Sequence, residues 1–325
     1  MQKYRVAVLR GGPGEEYDIS LQSGMDVLAA LDTDRYQPLD VVITQSGEWL
    51  SQGRVRVPHE LFTGIDAVFL ALHGPYGENG RVQRLLDTLR VPYTGSRAFP
   101  STMTLNKALA KDRLARAGVR MPRHMLVSAS AQQNLAGLAD SIRELFGPRY
   151  IVKPVDGSSS VGIAYAENAS ILITALAQAL AAHEQVLIEE YIEGREATCG
   201  IIERFREQDR YAIPVMEIAS PDGAPFIDCD SRRNNRVHEI CPASFSNAEK
   251  RELERLARLV HDTLELSQYS HSDFIVADDG MYFIEANTLP RLTTESSLPK
   301  ALTSVGSPYK DFINHLVEDT LEKRS

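Results

Sequence analysis

The stretch DFIVADDGMYFIEAN, at residues 273–287, contains two short apolar runs separated by Asp-Asp-Gly. Apolar runs of this length on either side of a polar turn predict a β-hairpin. A three-residue loop at residues 278–280, with Gly280 in the left-handed conformation, is a common hairpin connection. The second run ends in Glu-Ala-Asn, so the hairpin carries polar groups where a purely structural strand would stay apolar.

This register predicts a group of oxygen ligands on one face of the hairpin. It places Asp273 opposite Glu285, and Asn287 shares a face with Glu285 because side chains alternate along a strand. Carboxylate and amide oxygens suit Mg²⁺ that bridges ATP phosphates. A solvated strand face is the alternative, but facing carboxylates repel each other unless a cation lies between them. The hairpin is therefore a predicted metal site.

A loop of small residues earlier in the chain has the composition of a phosphate-binding loop. Residues 151–154 (IVKP) predict a short strand that carries Lys153, and GSSSVG follows at residues 157–162. Small residues let backbone N–H groups approach a polyanion closely, and hydroxyl groups add donors. A flexible surface turn is the alternative, because the spacing is not that of a Walker P-loop. The lysine upstream of the loop favours phosphate binding.

The first hundred residues alternate between strand and helix patterns. Apolar strands are predicted at residues 5–9, 39–43 and 67–72, with a helix after the first. This rhythm indicates an open α/β sheet. Ligands of such sheets bind at the carboxyl ends of the strands, where Glu16 and His73 lie. The helix is expected to bury a stripe formed by Leu21, Met25, Leu28 and Leu31.

Further elements are predicted in the rest of the chain. One continuous helix at residues 101–118 carries Lys107 and Lys111, and a strand is predicted at residues 186–192. A helix at residues 249–264 has an apolar face of Leu253, Leu256, Ala257, Val260 and Leu264. The end of the 186–192 strand suggests an adenine and ribose clamp, although glutamate-rich strand ends are usually just solvated. The candidate clamp residues are Glu189, Glu190, Ile192 and Glu196.

Composition excludes some classes of protein. The chain has 325 residues, a length that predicts two or three domains. Its formal net charge of −9 argues against a nucleic-acid-binding face. The first apolar run is too short for a signal peptide or a membrane span. Reduced thiols in the cytoplasm are expected, because the three cysteines cannot all pair and contain no CxxC motif. These cysteines are Cys199, Cys229 and Cys241.

Taken in order, the motifs resemble the D-alanine–D-alanine ligase family of the ATP-grasp superfamily along nearly the whole chain. The N-terminal part contributes LRGG at residues 9–12, ALHG at 71–74, GENG at 77–80 and YTGS at 93–96. The later parts contribute VKP at residues 152–154, SSVG at 159–162 and EANT at 285–288. The resemblance implies a mixed α/β and α+β protein, with an ATP-grasp fold preceded by a Rossmann-like open parallel-sheet N-terminal domain.

The resemblance also implies three segments and a role for each. Residues 1–98 would form the α/β substrate domain, residues 99–192 the central ATP-grasp subdomain with the phosphate loop, and residues 193–325 the C-terminal subdomain with the metal-binding hairpin. The implied activity is an ATP-dependent carboxylate–amine ligase that joins two D-alanine molecules, or similar small amino acids, for peptidoglycan synthesis. One carboxylate would attack the γ-phosphate to give an acyl phosphate, and the amine of the second molecule would displace phosphate.

Roles for individual residues follow from the same resemblance. The implied catalytic residues are Glu16, Ser159, His271 and Arg291. The implied ATP-binding residues are Lys107, Lys153, Ser158, Ser159, Ser160, Glu189, Glu190, Ile192, Glu196 and Arg232. The implied substrate-binding residues are Glu16, His73, Arg233, Ser296 and Ser297. Mg²⁺, with Mn²⁺ as an alternative, would be bound by Asp273, Glu285 and Asn287. Small-molecule substrates are expected, without nucleic acid or membrane partners, and the family's tendency to dimerise leaves a homodimer open.

The sequence departs from the family on the substrate side. Arg232 and Arg233 stand where a Lys-Tyr pair is usual, in a polar stretch at residues 232–239 that is expected to be a lid. His271 stands in place of an arginine, and Arg291 in place of a glycine. We expect Arg291 to supply charge that the histidine only partly provides. The alternative for Arg291 is a side chain that points to solvent. The alternatives for the function are a ligase acting on another amino acid, hydroxy acid or peptide, and an ATP-binding homologue without catalysis.

Overall fold

A computed structural model of the protein describes residues 3–157, 162–220 and 237–323. Five residues with predicted roles lie outside the described residues, together with most of the predicted lid: Ser158, Ser159, Ser160, Arg232 and Arg233. Within the described ranges, three β-sheets organise the chain. Across the same ranges, no helix combines the length and the apolar character that crossing a membrane requires.

The first sheet confirms the predicted open α/β arrangement. Its strands are β1 (Tyr4–Gly11), β2 (Tyr36–Ile43), β3 (Trp49–Ser51), β4 (Arg54–Val55) and β5 (Ala67–Leu70). They lie in the order β4-β3-β2-β1-β5. β1 is parallel to β2 and β5, and β3 extends the sheet in the antiparallel sense. The helices of this part are α1 (Tyr17–Ala30), α2 (Pro58–Leu61), α3 (Pro75–Glu78) and α4 (Arg81–Thr88).

The buried face of α1 differs from the predicted leucine stripe. Met25 is 53% exposed, so its prediction as a core residue was wrong. The helix packs with its small and polar side because that side completes hydrogen bonds of the sheet: Ser20 Oγ accepts from the N–H of Gly11 and donates to the carbonyl of Ala71. The buried residues of the helix are Ser20, Ser23, Gly24, Val27 and Ala30.

The single helix predicted at residues 101–118 is two helices, α5 (Ala98–Leu105) and α6 (Lys107–Arg116). Asn106 separates them because its backbone is extended, with a ψ of 100°. Its side chain accepts a hydrogen bond from the N–H of Leu109 and so caps the first turn of α6. α5 therefore ends at Leu105, and α6 begins at Lys107 as a separate helix.

The second sheet is covered by helices on one face. Its strands are β6 (His124–Ser128), β7 (Tyr150–Pro154), β8 (Ala164–Ala166) and β9 (Gln185–Glu190), in the order β6-β9-β7-β8. All neighbours in this sheet are antiparallel. Helices α7 (Leu135–Phe146) and α8 (Ala169–Ala182) pack on the face that carries Tyr150, Val152 and Ile188. The opposite face carries Lys153 and Glu189.

The third sheet lies in the C-terminal part. Its strands are β10 (Arg195–Phe205), β11 (Gln208–Ala212), β12 (Met216–Ala219), β13 (His238–Ile240), β14 (Tyr269–Ala277) and β15 (Gly280–Asn287). They follow the path β13-β12-β10-β14-β15, and β11 pairs with β10. Helix α9 (Asn247–Thr263) covers one face with Leu253, Leu256, Ala257 and Val260, which confirms its predicted apolar side.

The β14–β15 hairpin has a different turn from the predicted one, yet the predicted pairing of its acidic residues. The strands are joined by a two-residue turn, and Gly280 already pairs within β15 with a φ of 141°. The prediction of a three-residue loop was therefore wrong. An extra residue in β15, Ile284, then shifts the register by one, so Asp273 still lies opposite Glu285.

The last two helices are α10 (Ser297–Ser304) and α11 (Tyr309–Glu322). Helix α11 returns to the first sheet, where Phe312 and Leu316 belong to the same hydrophobic cluster as β1. Asn314 on this helix donates to the carbonyl of Ala30 at the end of α1. Each sheet falls within one of the ranges 1–98, 99–192 and 193–325, whose boundaries stay predictions.

Replacing Asn106 by alanine should change stability in opposite directions if α5 and α6 are two helices or one. Asn106→Ala is expected to lower the free energy of unfolding by about 1 kcal/mol, because alanine cannot cap α6. Asn168→Ala removes the equivalent cap of α8 and should cost a similar amount as the matched control. Urea unfolding followed by circular dichroism measures both. Were α5 and α6 one helix, alanine would instead stabilise the chain, since it is the better helix former.

Candidate active site

Three lysines and two glutamates meet between the second and third sheets. Lys111 Nζ lies 3.0 Å from Glu189 Oε1, and Lys153 Nζ lies 2.9 Å from Glu189 Oε2. Lys107 Nζ lies 3.2 Å from Glu285 Oε2. All three lysines are at most 5% exposed. The cluster therefore joins α6 and two strands of the second sheet, β7 and β9, to the metal-binding hairpin predicted from the sequence.

Burial and charge oppose each other in this cluster. Burial lowers the pKa of Lys111 to about 8, although the neighbouring Glu189 counteracts it. Burial alone would raise the pKa of Glu189, but Lys111 and Lys153 together lower it to about 2. Glu189 is therefore ionised at neutral pH, and in this structure its carboxylate serves as the counter-ion of two lysines.

Local sequence explains how these lysines are positioned. On β7, Lys153 points away from the core because it alternates with the buried Val152. On α6, the backbone N–H of Lys107 donates to the carbonyl of Val155 over 2.9 Å, directly after β7. The break at Asn106 thus ties the start of α6 to the strand that carries Lys153. Lys107 also donates to the carbonyl of Gly157, at the start of the predicted phosphate loop.

The predicted metal ligands lie on the face of the third sheet that α9 leaves uncovered. Asp273 pairs with Glu285, and His271 pairs with Asn287, across β14 and β15. Thr198 on β10 donates to Asp273 Oδ1 over 2.6 Å, and its Oγ1 lies 2.6 Å from His271 Nε2. Among the residues that the structure describes, no three histidine, cysteine, aspartate or glutamate side chains are grouped closely enough to hold a metal by themselves.

A cavity of about 990 Å³ connects this hairpin with the carboxyl ends of the first sheet. Glu16, His271 and Arg291 line it, together with the three predicted metal ligands. Arg291 Nη2 lies 3.1 Å from Glu16 Oε1, and the two side chains are 40% and 11% exposed. Arg291 is therefore part of the cavity wall and pairs with Glu16, one of the predicted substrate-binding residues.

His73 also borders the cavity, but both of its ring nitrogens contact the protein. Nδ1 lies 3.1 Å from the carbonyl oxygen of Leu289, and Nε2 lies 2.7 Å from Ser23 Oγ. Because a carbonyl only accepts, the Nδ1 atom carries the proton and Nε2 accepts from the serine. Burial lowers the pKa of His73 to about 4, although the nearby Glu16 counteracts it. The imidazole is therefore neutral at physiological pH.

The predicted substrate-binding serines, Ser296 and Ser297, lie at the start of α10 and also line the cavity. Ser296 Oγ lies 2.5 Å from Thr293 Oγ1. Ser297 donates to Glu239 Oε1 over 2.7 Å, and Lys300 donates to the other oxygen over 2.9 Å. Glu239, on β13, is thereby held against α10.

The remaining predicted nucleotide-clamp residues lie along β9 and β10. Glu190 accepts hydrogen bonds from the backbone N–H and the Nε–H of Arg123, over 2.8 and 2.6 Å. Ile192 is half-buried just after β9. Glu196 lies two residues before Thr198 on β10, so the two share one face of the sheet.

Comparison with known proteins identifies the family of this chain. A family model described as D-ala D-ala ligase N-terminus matches residues 5–60 and 55–96, and one described as D-ala D-ala ligase C-terminus matches residues 114–318. The chain belongs to the D-alanine–D-alanine ligase family. A D-alanine–D-alanine ligase of Clostridium perfringens is 32% identical over 318 residues, which cover 98% of each chain.

Solved structures support the same family fold. The D-alanine–D-alanine ligase of Bacillus anthracis complexed with ATP is 28% identical, with a TM-score of 0.79 over 99% of this chain and 98% of that one. D-alanyl-alanine synthetase A of Vibrio cholerae is 24% identical, with a TM-score of 0.87 over 99% of this chain and 100% of that one. The predicted ATP-grasp fold with an open N-terminal sheet is thereby confirmed.

Several residues of this D-alanine–D-alanine ligase family member were missed by sequence reasoning. Lys111 was noted only as a helix residue, although its position one turn after Lys107 gave a signal that it shares a helix face. Thr198 and Ser23 gave no local signal, because each acts on a partner more than 70 residues away. Glu78 lies in the GENG motif that contributed to the resemblance, but the sequence assigned it no role.

The neutral His73 predicts a specific loss of stability in acid. The unfolded chain takes up the proton near pH 6.5 and the folded chain only near pH 4, so stability falls as the pH drops between these values. The shift corresponds to about 3 kcal/mol. Urea unfolding from pH 7 to pH 4 should show this loss in the wild type and not in His73→Asn. His59→Asn, at an exposed histidine, is the control variant. A wild-type curve of stability against pH that runs parallel to that of His73→Asn would contradict the prediction.

Proposed function

We propose that this protein is a cytoplasmic ligase that uses ATP to join two D-alanine molecules for peptidoglycan synthesis. The observation that carries the proposal is the 3.2 Å contact between Lys107 and Glu285. It brings a buried cation from α6 against an acidic residue of the third sheet, beside the cavity that Glu16 lines. Lysines suit phosphate oxygens and carboxylates suit a divalent cation, so this juxtaposition fits a metal–nucleotide complex.

In this proposal, ATP lies between the second and third sheets. Lys107 and Lys153 bind its phosphates. Glu189 contributes indirectly, through Lys111 and Lys153, whose charges it neutralises. The serines of the phosphate loop and a lid arginine add donors: Ser158, Ser159, Ser160 and Arg232. Adenine and ribose are held by Glu190, Ile192 and Glu196.

The donor set on the hairpin fits Mg²⁺. Asp273, Glu285 and Asn287 offer two carboxylates and one amide oxygen, and Mg²⁺ commonly takes one or two carboxylates and completes its shell with water and phosphate oxygens. Thr198 fixes the orientation of Asp273. Mg²⁺ bound here would offset phosphate charge and favour attack at the γ-phosphate. Mn²⁺ accepts the same oxygen ligands.

The proposed reaction has two steps. A carboxylate oxygen of the first D-alanine attacks the γ-phosphorus of ATP, and ADP leaves. The amine of the second D-alanine then attacks the acyl carbon, loses a proton and displaces inorganic phosphate. The protein contributes orientation of the reactants and charge complementary to the developing oxyanion.

The amino-acid residues act on the other side of the cavity. Glu16 binds the ammonium group of the first D-alanine, and Arg291 with His271 faces its reacting carboxylate. Ser159 orders the reacting centre. The second D-alanine is placed by Arg233, Ser296 and Ser297. His73 supports the amino-acid side of the cavity through its hydrogen bonds to Leu289 and Ser23.

Phosphate release from ATP with a panel of D- and L-amino acids, singly and in pairs, tests the function. D-alanine alone is expected to support release, with one dipeptide formed per phosphate, and L-alanine is not. Faster release with a D-hydroxy acid or another amino acid as second substrate would assign a different product. Absence of release with every amino acid would contradict ligation.

Glu285→Gln and Asp273→Asn are expected to abolish this turnover without unfolding the protein, because each removes one charged ligand while preserving side-chain shape. Saturating Mg-ATP should raise the melting temperature of the wild type, since a ligand that binds the folded state stabilises it, and should raise that of either variant less. Asp279→Asn, in the exposed turn of the same hairpin, is the control. Wild-type phosphate release by Glu285→Gln would exclude the hairpin as the metal site.

Arg291→Ala is expected to lower turnover by about 10²- to 10³-fold, as loss of one oxyanion donor typically does. Arg195→Ala is the matched control, because Arg195 pairs with Glu217 at similar exposures of 44% and 9% but lies outside the cavity. Steady-state phosphate release compares the two variants. Equal activity of Arg291→Ala and wild type would mean that another group supplies the charge.

A further inference from the structure

Residues 288–292 connect the two halves of the candidate site. They begin directly after Asn287, a proposed metal ligand, and they include Arg291, which lines the amino-acid side of the cavity. The segment follows the end of β15 and precedes α10. Its placement therefore sets how far the nucleotide side lies from the amino-acid side.

Glu78, at the end of α3, holds the start of this segment. Its carboxyl group is buried, with 3% of the residue exposed. Glu78 Oε2 accepts from the backbone N–H of Thr288 over 3.0 Å, from the hydroxyl of Thr288 over 3.1 Å and from the N–H of Leu289 over 3.3 Å. One carboxyl oxygen thus fixes both the backbone and a side chain immediately beyond Asn287.

A second contact from the N-terminal part holds the rest of the segment. The neutral His73 donates to the carbonyl of Leu289, and Ser23 Oγ accepts from the N–H of Leu292 over 3.3 Å. Ser23 also donates to His73, so these groups form one continuous chain of hydrogen bonds. Residues 288–292 are therefore held at both ends by hydrogen bonds from the N-terminal part of the chain.

The element that carries Glu78 also contacts the proposed ammonium-binding residue. At Gly74, the residue before α3, an added Cβ would lie 2.8 Å from Glu16 Oε2. The backbone φ of 76° at this position further favours glycine. Glu16 and the start of α3 are therefore packed without spare room, and Glu78 projects from the same short helix toward the metal-binding strand.

We propose that Glu78 is a positioning residue that sets the spacing between the amino-acid site around Glu16 and the nucleotide-side ligands of β15. This role rests on the proposed ligase function. Glu78 acts through the backbone of residues 288–289, so its loss should misalign the reacting groups and leave the separate binding surfaces in place. A displacement of about 1 Å at a reacting centre can cost about 10²-fold in rate.

Kinetics of Glu78→Gln test this role against a matched control. Glu217 is also buried, at 7% exposed, and it accepts from the backbone N–H and the hydroxyl of one residue, Ser244. Its contact lies outside the cavity. Glu78→Gln is expected to lower kcat by about 10- to 100-fold, with KM for ATP and for D-alanine within threefold of wild type. Glu217→Gln is expected to lower the melting temperature and keep wild-type kcat.

Hydrogen exchange gives a readout that does not depend on turnover. The peptide that contains residues 288–292 is expected to exchange faster in Glu78→Gln than in wild type, and at the wild-type rate in Glu217→Gln. Thr288→Val removes one of the three donors with little change of shape, so it provides a milder variant if Glu78→Gln fails to fold. It is expected to lower kcat in the same direction by a smaller factor.

Three outcomes would overturn the positioning role. An unchanged kcat in Glu78→Gln, or in Thr288→Val where Glu78→Gln does not fold, would show that the contact does not align the reaction. A raised KM for D-alanine with unchanged kcat would make Glu78 a binding residue instead. Absence of D-alanine-dependent turnover in the wild type would overturn the proposed function as well, and the wild-type assay separates that case from the first two.

Discussion

Burying three ammonium groups in one place is the constraint on which the rest of the site depends. Desolvation of a charge costs several kcal/mol, and the cost is offset only by well-placed partners. Glu189 neutralises Lys111 and Lys153, while Glu285 neutralises Lys107. These partners come from different strands and different sheets. The pairing therefore fixes α6 against the second sheet and holds the third sheet close to both.

The predicted departures from the family that the structure describes, His271 and Arg291, lie on the amino-acid side of the cavity, away from the lysine cluster. Lys107 and Lys153 were both predicted from the resemblance to the family, whereas Arg291, which was predicted to replace a glycine, pairs with Glu16. The Arg291 guanidinium thus pairs with the carboxylate that we propose binds the substrate ammonium. An incoming amino acid carries both charges, so it can replace each partner of the pair with its own opposite group. Substrate choice is therefore expected to depend on this pair.

Sequence patterns predicted the sheets well and the long-range contacts poorly. Alternation along β14 and β15 was enough to place Asp273 opposite Glu285, even though the predicted turn was one residue too long, because the extra Ile284 restores the register. Periodicity failed where polar partners decide the packing, as for Met25 on α1. The grip of Glu78 on Thr288 spans 210 positions, and no local pattern carries such information.

The position of α11 has a consequence for synthesis of the chain. Side chains from residues 312–317 complete the hydrophobic cluster built on β1, about 300 positions earlier in the sequence. While the ribosome is still making the third sheet, the first sheet lacks this cover and exposes apolar surface to water. A nascent chain is therefore expected to hold an unfinished core until α11 emerges, and apolar surface exposed during that interval favours aggregation.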